Sequence, residues 1–304
     1  MKKALLFVSL VSFPCLSLFA QSRLFWEIKF KNSKTPSYML GVPMVLCPDK
    51  LVFNDFERQK LQETKQLYVQ NDITRPDFII SVLSFCRLPE GVKLQDAYSD
   101  SDYAFLKSFF KDSLNLDLEN PKGNYDPHVL KYMLIAHMMG CEPQSAETAV
   151  IKFAIEQNKE IHELESVREY YEHVNKVGLK GNADFLLEFV KNYDAIAKSY
   201  KRIEMDYLHP ENMDSKFVFK FDDKSTEYMV NGRAEKWTQK MKKAMDEKPT
   251  FFVIPQFMLV GDNGILNSLA QMGYELKSYD KLGDIRRFVD GKKATANSIV
   301  NKNK

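Results

Sequence analysis

The sequence predicts an α/β fold: a mixed sheet built from the N- and C-terminal parts of the chain, with a large helical insert in the middle. Three observations lead there. Runs of β-forming residues sit in the first quarter and the last fifth of the chain. Helix-period apolar residues fill the interval between them, about residues 76–246. No internal repeat is visible that would make this a solenoid or an array. One sheet drawn from both chain ends accounts for that distribution economically.

The first twenty residues differ from the rest. Lys2 and Lys3 form a basic start, an apolar run over 4–19 follows, and Ala20 closes it before the polar Gln21 and Ser22. That is the order of a secretory signal, with cleavage expected after Ala20. The run falls short of the ~20 residues needed to span a bilayer, and Pro14 and the serines weaken it further. Cys15 invites a lipidation reading, but Phe13 and Pro14 are too bulky for a lipidation box. No later segment is apolar for long enough to span. The expectation is a signal over 1–20 and a single exported domain over 21–304, periplasmic or extracellular, with no membrane span after cleavage.

The elements then follow in order. Residues 24–31 and 37–41 read as the two strands of a hairpin. Residues 53–66 are dense in Glu, Lys and Gln and read as a polar helix, and 67–69 as a short buried strand. Helix-period segments cover 77–85, 101–110, 127–139 and 144–157, punctuated by Pro89, Gly91, Pro121, Gly123, Gly140 and Pro143. Residues 160–165 form a short strand. Ser166 starts a helix through Val174, with Glu169 completing a capping box. Residues 182–205 read as one long amphipathic helix, 209–227 as a weakly ordered connection, and 228–246 as a Lys- and Met-rich helix. Residues 250–254 are five β-formers after Pro249, 265–272 a helix ended by Gly273, and 274–279 a last strand. The tail over 290–304 is expected to fray.

Composition excludes several classes. Lys plus Arg is 43 against 41 Asp plus Glu, a net charge of +2, so nothing points to a nucleic-acid partner. Cleavage of the signal would remove two lysines and leave the charges balanced at 41 each. Of four cysteines, Cys47, Cys86 and Cys141 follow the signal. They allow at most one disulfide within the chain, and buried free thiols are the simpler expectation. No Gly-rich phosphate loop, His-Glu-x-x-His, Cys-x-x-Cys or Gly-x-Ser-x-Gly is present. Of the five histidines, His128 and His137 read as isolated helix residues, and His162, His173 and His209 as solvent-facing.

Four segments taken together resemble a known family. They are Leu24 to Ile28 with Pro36 to Gly41, Glu160 to Ser166, Asn231 to Trp237, and Phe251 to Ile254 running through Gly261 to Leu266 to Gly273 and Tyr274. In order and spacing these are similar to the TraB/GumN family, which includes the Tiki metalloproteases. The resemblance implies a divalent metal held by histidines of two Gly-x-x-His motifs and by acidic residues, activating water for hydrolysis.

At those positions this chain departs from the pattern. The first motif stands as Gly41-Val42-Pro43-Met44 and the second as Pro255-Gln256-Phe257-Met258. The acid expected after the strand at 67–69 is Gln70, whereas Glu165 and Arg233 remain. Thioether sulfur is a poor ligand for hard divalent cations. An amide supplies neither negative charge nor a general base. The resemblance therefore implies a pseudoenzyme that acts by binding a peptide, a protein or a small molecule, with no catalytic residue, no metal and no cofactor. Met44, Gln70, Glu165, Arg233 and Met258 would line its degenerate cleft. Two alternatives stay open at this point. One is a metal-dependent peptidase or hydrolase with altered ligands; the other is a soft Cu(I) site using Met44, Cys47 and Met258. Methionines that merely fill the core, and an Arg233–Glu165 pair that is only structural, are the plain readings beside these.

Overall fold

The computed structural model describes residues 24–30, 33–120, 124–209, 227–280, 284–289 and 292–295. The expected export signal, the connection over 210–226 and the end of the tail lie outside the described residues.

The sheet is mixed, and its core is six strands. These are β1 (Phe25–Phe30), β2 (Ser37–Val42), β4 (Gln66–Val69), β6 (Glu160–Glu163), β7 (Thr250–Pro255) and β8 (Tyr274–Asp280), in the spatial order β8-β1-β2-β7-β4-β6. β2, β7, β4 and β6 run parallel, and β1 is antiparallel to both β2 and β8. Beyond β8 the sheet continues through β9 (Asp284–Val289) and β10 (Lys292–Thr295). β10 falls within the stretch over 290–304 that the sequence reading expects to fray, and it pairs antiparallel with β9. A separate two-stranded ladder joins β3 (Val45–Leu46) to β5 (Gln144–Ser145).

β2 and β7 are buried along their whole length, as central strands covered on both faces must be. Alternation divides their side chains. Met39, Phe252 and Ile254, with Trp26 and Ile28, pack against α9 (Gly232–Glu247) and α10 (Ile265–Gln271). Tyr38, Leu40, Phe251 and Val253 pack against α1 (Asp55–Glu63) and α5 (Thr148–Glu156) on the other face. The result is a three-layer arrangement. A third apolar cluster, around Leu106, Phe110, Leu130, Leu134, Leu186 and Val190, knits α3 (Asp100–Leu114), α4 (Pro127–Met139) and α7 (Gly178–Lys191) within the insert. A fourth holds α2 (Phe78–Leu83) to α6 (Val167–Asn175).

Local signals explain several helix ends. Asn54 and Glu57 form a capping box on α1, as Ser166 and Glu169 do on α6. Asp126 caps α4, Pro127 occupies its first turn, and Gly140 ends it at φ 67°.

Three expectations need correction. The long helix over 182–205 is two helices, α7 and α8 (Tyr193–Leu208), broken at Asn192, whose φ of −108° and ψ of 21° leave the helical range. The segment 144–157 is helical only from Thr148, because Gln144 and Ser145 are drawn into the ladder with Leu46 and Val45. Finally, Cys47 and Cys141 are joined in a disulfide rather than held as thiols, and among the described residues Cys86 is the free cysteine. The bond continues the β3–β5 ladder, so pairing and cross-link together tie the end of the β2 loop to the helical insert.

Candidate functional site

The four parallel strands deliver their C-terminal ends, Val42, Pro255, Val69 and Glu163, to one edge of the sheet. That edge is where open α/β sheets place their sites. Each residue singled out in the sequence lies just past it. Met44 follows β2, Gln70 follows β4, Glu165 follows β6, Met258 follows β7, and Arg233 sits in the first turn of α9.

The structure brings Gln70, Glu165 and Arg233 into one hydrogen-bonded group. Arg233 grips Glu165 with a two-pronged fork: Nε donates to Oε2 at 3.0 Å and Nη2 to Oε1 at 2.5 Å. Gln70 Nε2 donates to Oε1 at 3.1 Å and Trp237 Nε1 to Oε2 at 3.3 Å. Glu165 thus accepts four hydrogen bonds, the full capacity of a carboxylate. Both members of the ion pair are buried, with Glu165 3% and Arg233 1% exposed. The guanidinium donates its remaining prong, Nη1, to the Met229 carbonyl at 2.9 Å. It lies over the rings of Tyr170 and Trp237, at 5.2 and 4.9 Å.

The main chain holds the acid in place. Glu165 N donates to Gln70 O, and Asn71 Nδ2 donates to Glu165 O, so the β4 and β6 extensions are laced together beyond the ladder. Met258 is fully buried and Met44 half-buried, both in the apolar cluster of Trp237 and Leu164 beside the acid. At Gly41 of the first motif a Cβ would meet the tip of the Leu259 side chain, which would have to shift. The loop carrying Met258 is thereby packed down on the end of β2.

Sequence reasoning missed three neighbours. Glu147 is buried and its Oε1 accepts from Gln70 N at 2.9 Å. Burial pushes its pKa up to about 8; the Gln70 amide opposes that shift and the charge of Glu165 adds to it. Glu147 is therefore largely neutral at pH 7. Tyr170 and His128 extend the network, with His128 Nε2 and Tyr170 Oη 2.6 Å apart. A Glu ahead of a helix is commonplace, and no spacing in the sequence ties Glu147 to β4. The expected solvent exposure of His173 is corrected as well. It is buried against the start of α9, close to Gly232, and burial drives its pKa down to about 4. His162 and His209 do keep solvent contact.

These residues do not fit a hard divalent cation. The donors are two thioethers, one amide and a carboxylate whose lone pairs are all engaged. No three His, Cys, Asp or Glu side chains converge on one point among the described residues. The soft-metal alternative loses its thiol, because Cys47 Sγ is bonded to Cys141.

A family model described as TraB/PrgY/gumN family matches residues 24–278. No curated protein and no solved structure matches the chain significantly.

Proposed function

The chain belongs to the TraB/PrgY/gumN family, and from that premise we propose that it is an exported, catalytically silent member that acts by binding. One observation carries the reading: the acid that remains at the sheet edge is saturated by four protein donors and buried. A carboxylate so engaged has no lone pair to give a metal or a water and cannot serve as a general base. The replacements Met44, Met258 and Gln70 act in the same direction.

Support for export comes from two directions. Residues 1–20 have the composition of a secretory signal. The Cys47–Cys141 bond is of a kind that persists in oxidising compartments. No helix among the described residues is long and apolar enough to cross a membrane. The near-neutral charge favours a peptide, protein or small-molecule partner over nucleic acid.

The test is metal content together with hydrolysis. Purified protein is incubated with zinc, manganese or cobalt, its bound metal is measured after gel filtration, and cleavage of a peptide library is followed. Substoichiometric metal and no cleavage are expected. One equivalent of metal, with cleavage abolished by chelator and by Glu165→Gln, would overturn the reading.

A further inference from the structure

At the other end of the sheet from the Glu165–Arg233 group, where β2 and β7 begin, a recess of about 360 Å³ opens to solvent. Strand register builds one side of it. Phe30 stands across from Tyr274, with ring centroids 5.2 Å apart, and Ile28 stands across from Ser37. Ile28 and Tyr274 belong to the apolar cluster beneath α9. Met245 and Asp246 in the last turn of α9, and Ser33 and Thr35 between β1 and β2, complete the lining with Pro249.

The polar side chains among these described residues all end in oxygen: four hydroxyls, counting Tyr274, and the Asp246 carboxylate. Ser37 is only 4% exposed, and its Oγ accepts from Thr250 N at 3.0 Å while keeping a second lone pair. Ser33 Oγ commits its proton to Thr35 O at 2.6 Å, so toward a ligand it can only accept. Asp246 carries the one charge in the lining. Its Oδ2 accepts from Lys242 Nζ at 2.5 Å, in a pair whose side chains are 47% and 58% exposed and which therefore contributes little. Its Oδ1 accepts no hydrogen bond among the described residues. Helix stability does not account for this acid. It sits at the carboxyl end of α9, where the dipole disfavours negative charge, and it follows its lysine, the weaker order for such a pair. A lining of oxygen acceptors with one negative charge suits a group that only donates. The apolar remainder suits an alkyl chain, and aromatic faces attract a cation.

We propose that this recess binds a small organic ammonium, its N–H groups taken by Asp246 and the hydroxyl oxygens, and its alkyl part by Phe30, Met245 and Tyr274. The site lies apart from the Glu165–Arg233 group and stands whether or not the family chemistry is lost. The test titrates n-butylammonium into the purified full chain by calorimetry at pH 7, with butanol, butyrate and calcium chloride alongside. Saturable one-site binding of butylammonium is expected, at least about tenfold tighter than butanol, with butyrate and calcium inert. Asp246→Asn, at an exposed helix position, keeps the fold and weakens binding by at least about tenfold. Phe30→Ala weakens it through loss of the ring wall. Lys242→Met, which removes the rival ammonium, leaves binding as tight or tighter. Butylammonium binding unchanged in Asp246→Asn or in Phe30→Ala, binding lost in Lys242→Met, butyrate or calcium bound in its place, or no saturable binding at all would each overturn the proposal.

Discussion

Arg233→Met removes the guanidinium from Glu165 while keeping most of the side-chain length. Glu165 would retain Gln70 and Trp237 as donors but lose the two bonds of the fork, at 3.0 and 2.5 Å, and its counter-charge. Its carboxylate is only 3% exposed, so water cannot take over. Breaking a buried ion pair in this way costs about 3–5 kcal/mol. The loss of stacking on Tyr170 and Trp237 acts in the same direction. For a chain of 304 residues, with an unfolding entropy of about 2.1 cal/mol/K per residue, that corresponds to a fall in Tm of roughly 5–8 °C. The second variant is E165Q/R233M. It removes the stranded charge and leaves an amide oxygen to accept from Gln70 or Trp237, so it should be more stable than R233M alone by about 2 kcal/mol. Urea denaturation followed by tryptophan fluorescence measures both. A loss below about 1 kcal/mol in R233M, or a double variant no more stable than the single, would refute the argument that a desolvated charge pair organises this edge.

Three further outcomes are expected. Replacing Cys47 and Cys141 by serine opens a cross-link across a sequence separation of 94, which on the chain-entropy estimate lowers stability by about 4–5 kcal/mol; matched denaturation of oxidised and serine forms checks it. Glu147 has a folded pKa near 8, above its ordinary 4.5, so the folded state binds the extra proton, and stability falls as pH rises from about 4.5 to 8. Glu147→Gln should flatten that slope and be the more stable protein at pH 8, whereas a steeper slope in the variant would contradict the burial argument; Glu57, raised to about 7, keeps a smaller slope in the same window. Ile79→Ser with Ile80→Ser, at positions 63% and 72% exposed, should change the unfolding free energy by less than about 0.5 kcal/mol each, and a large loss would show that α2 is covered by something in solution.

The fold was legible wherever the local signal and the tertiary outcome agree. β7 is five β-formers bounded by Pro249, and α4 is bracketed by Asp126, Pro127 and Gly140, so both segments read correctly from sequence alone. The misreadings have two causes. The break at Asn192 separates two amphipathic stretches that each keep a helical period, and periodicity does not register a change of direction between them. Gln144 and Ser145 carry no strand signal of their own; their conformation is set by Val45 and Leu46, about a hundred residues away. The Cys47–Cys141 bond has the same origin. Three cysteines beyond residue 20 do not say which two meet, and the β3–β5 ladder is what brings Cys47 and Cys141 together.

The candidate site was legible in its members but not in its state. Gln70, Glu165 and Arg233 could be picked out by position, yet their spacing cannot say whether Arg233 faces a ligand or locks the acid. The deciding residue is Trp237, one turn beyond Arg233, whose large ring suits a packing anchor. It does pack, at 1% exposure, but its indole N–H also takes the last lone-pair site of Glu165, and its ring lies under the guanidinium. Those two contacts turn a pair that water could reach into a closed one. The same logic explains why Met44 and Met258 sit beside it without strain. Once the acid is satisfied by Arg233, Gln70 and Trp237, no cation is needed to balance it, and apolar side chains at positions 44 and 258 extend the core instead of leaving a charge exposed to a hydrophobic wall. On the proposed reading, loss of ligand groups and internal neutralisation of the acid are one physical change seen from two sides, and placing imidazoles at positions 44 and 258 would not by itself free the carboxylate they would need.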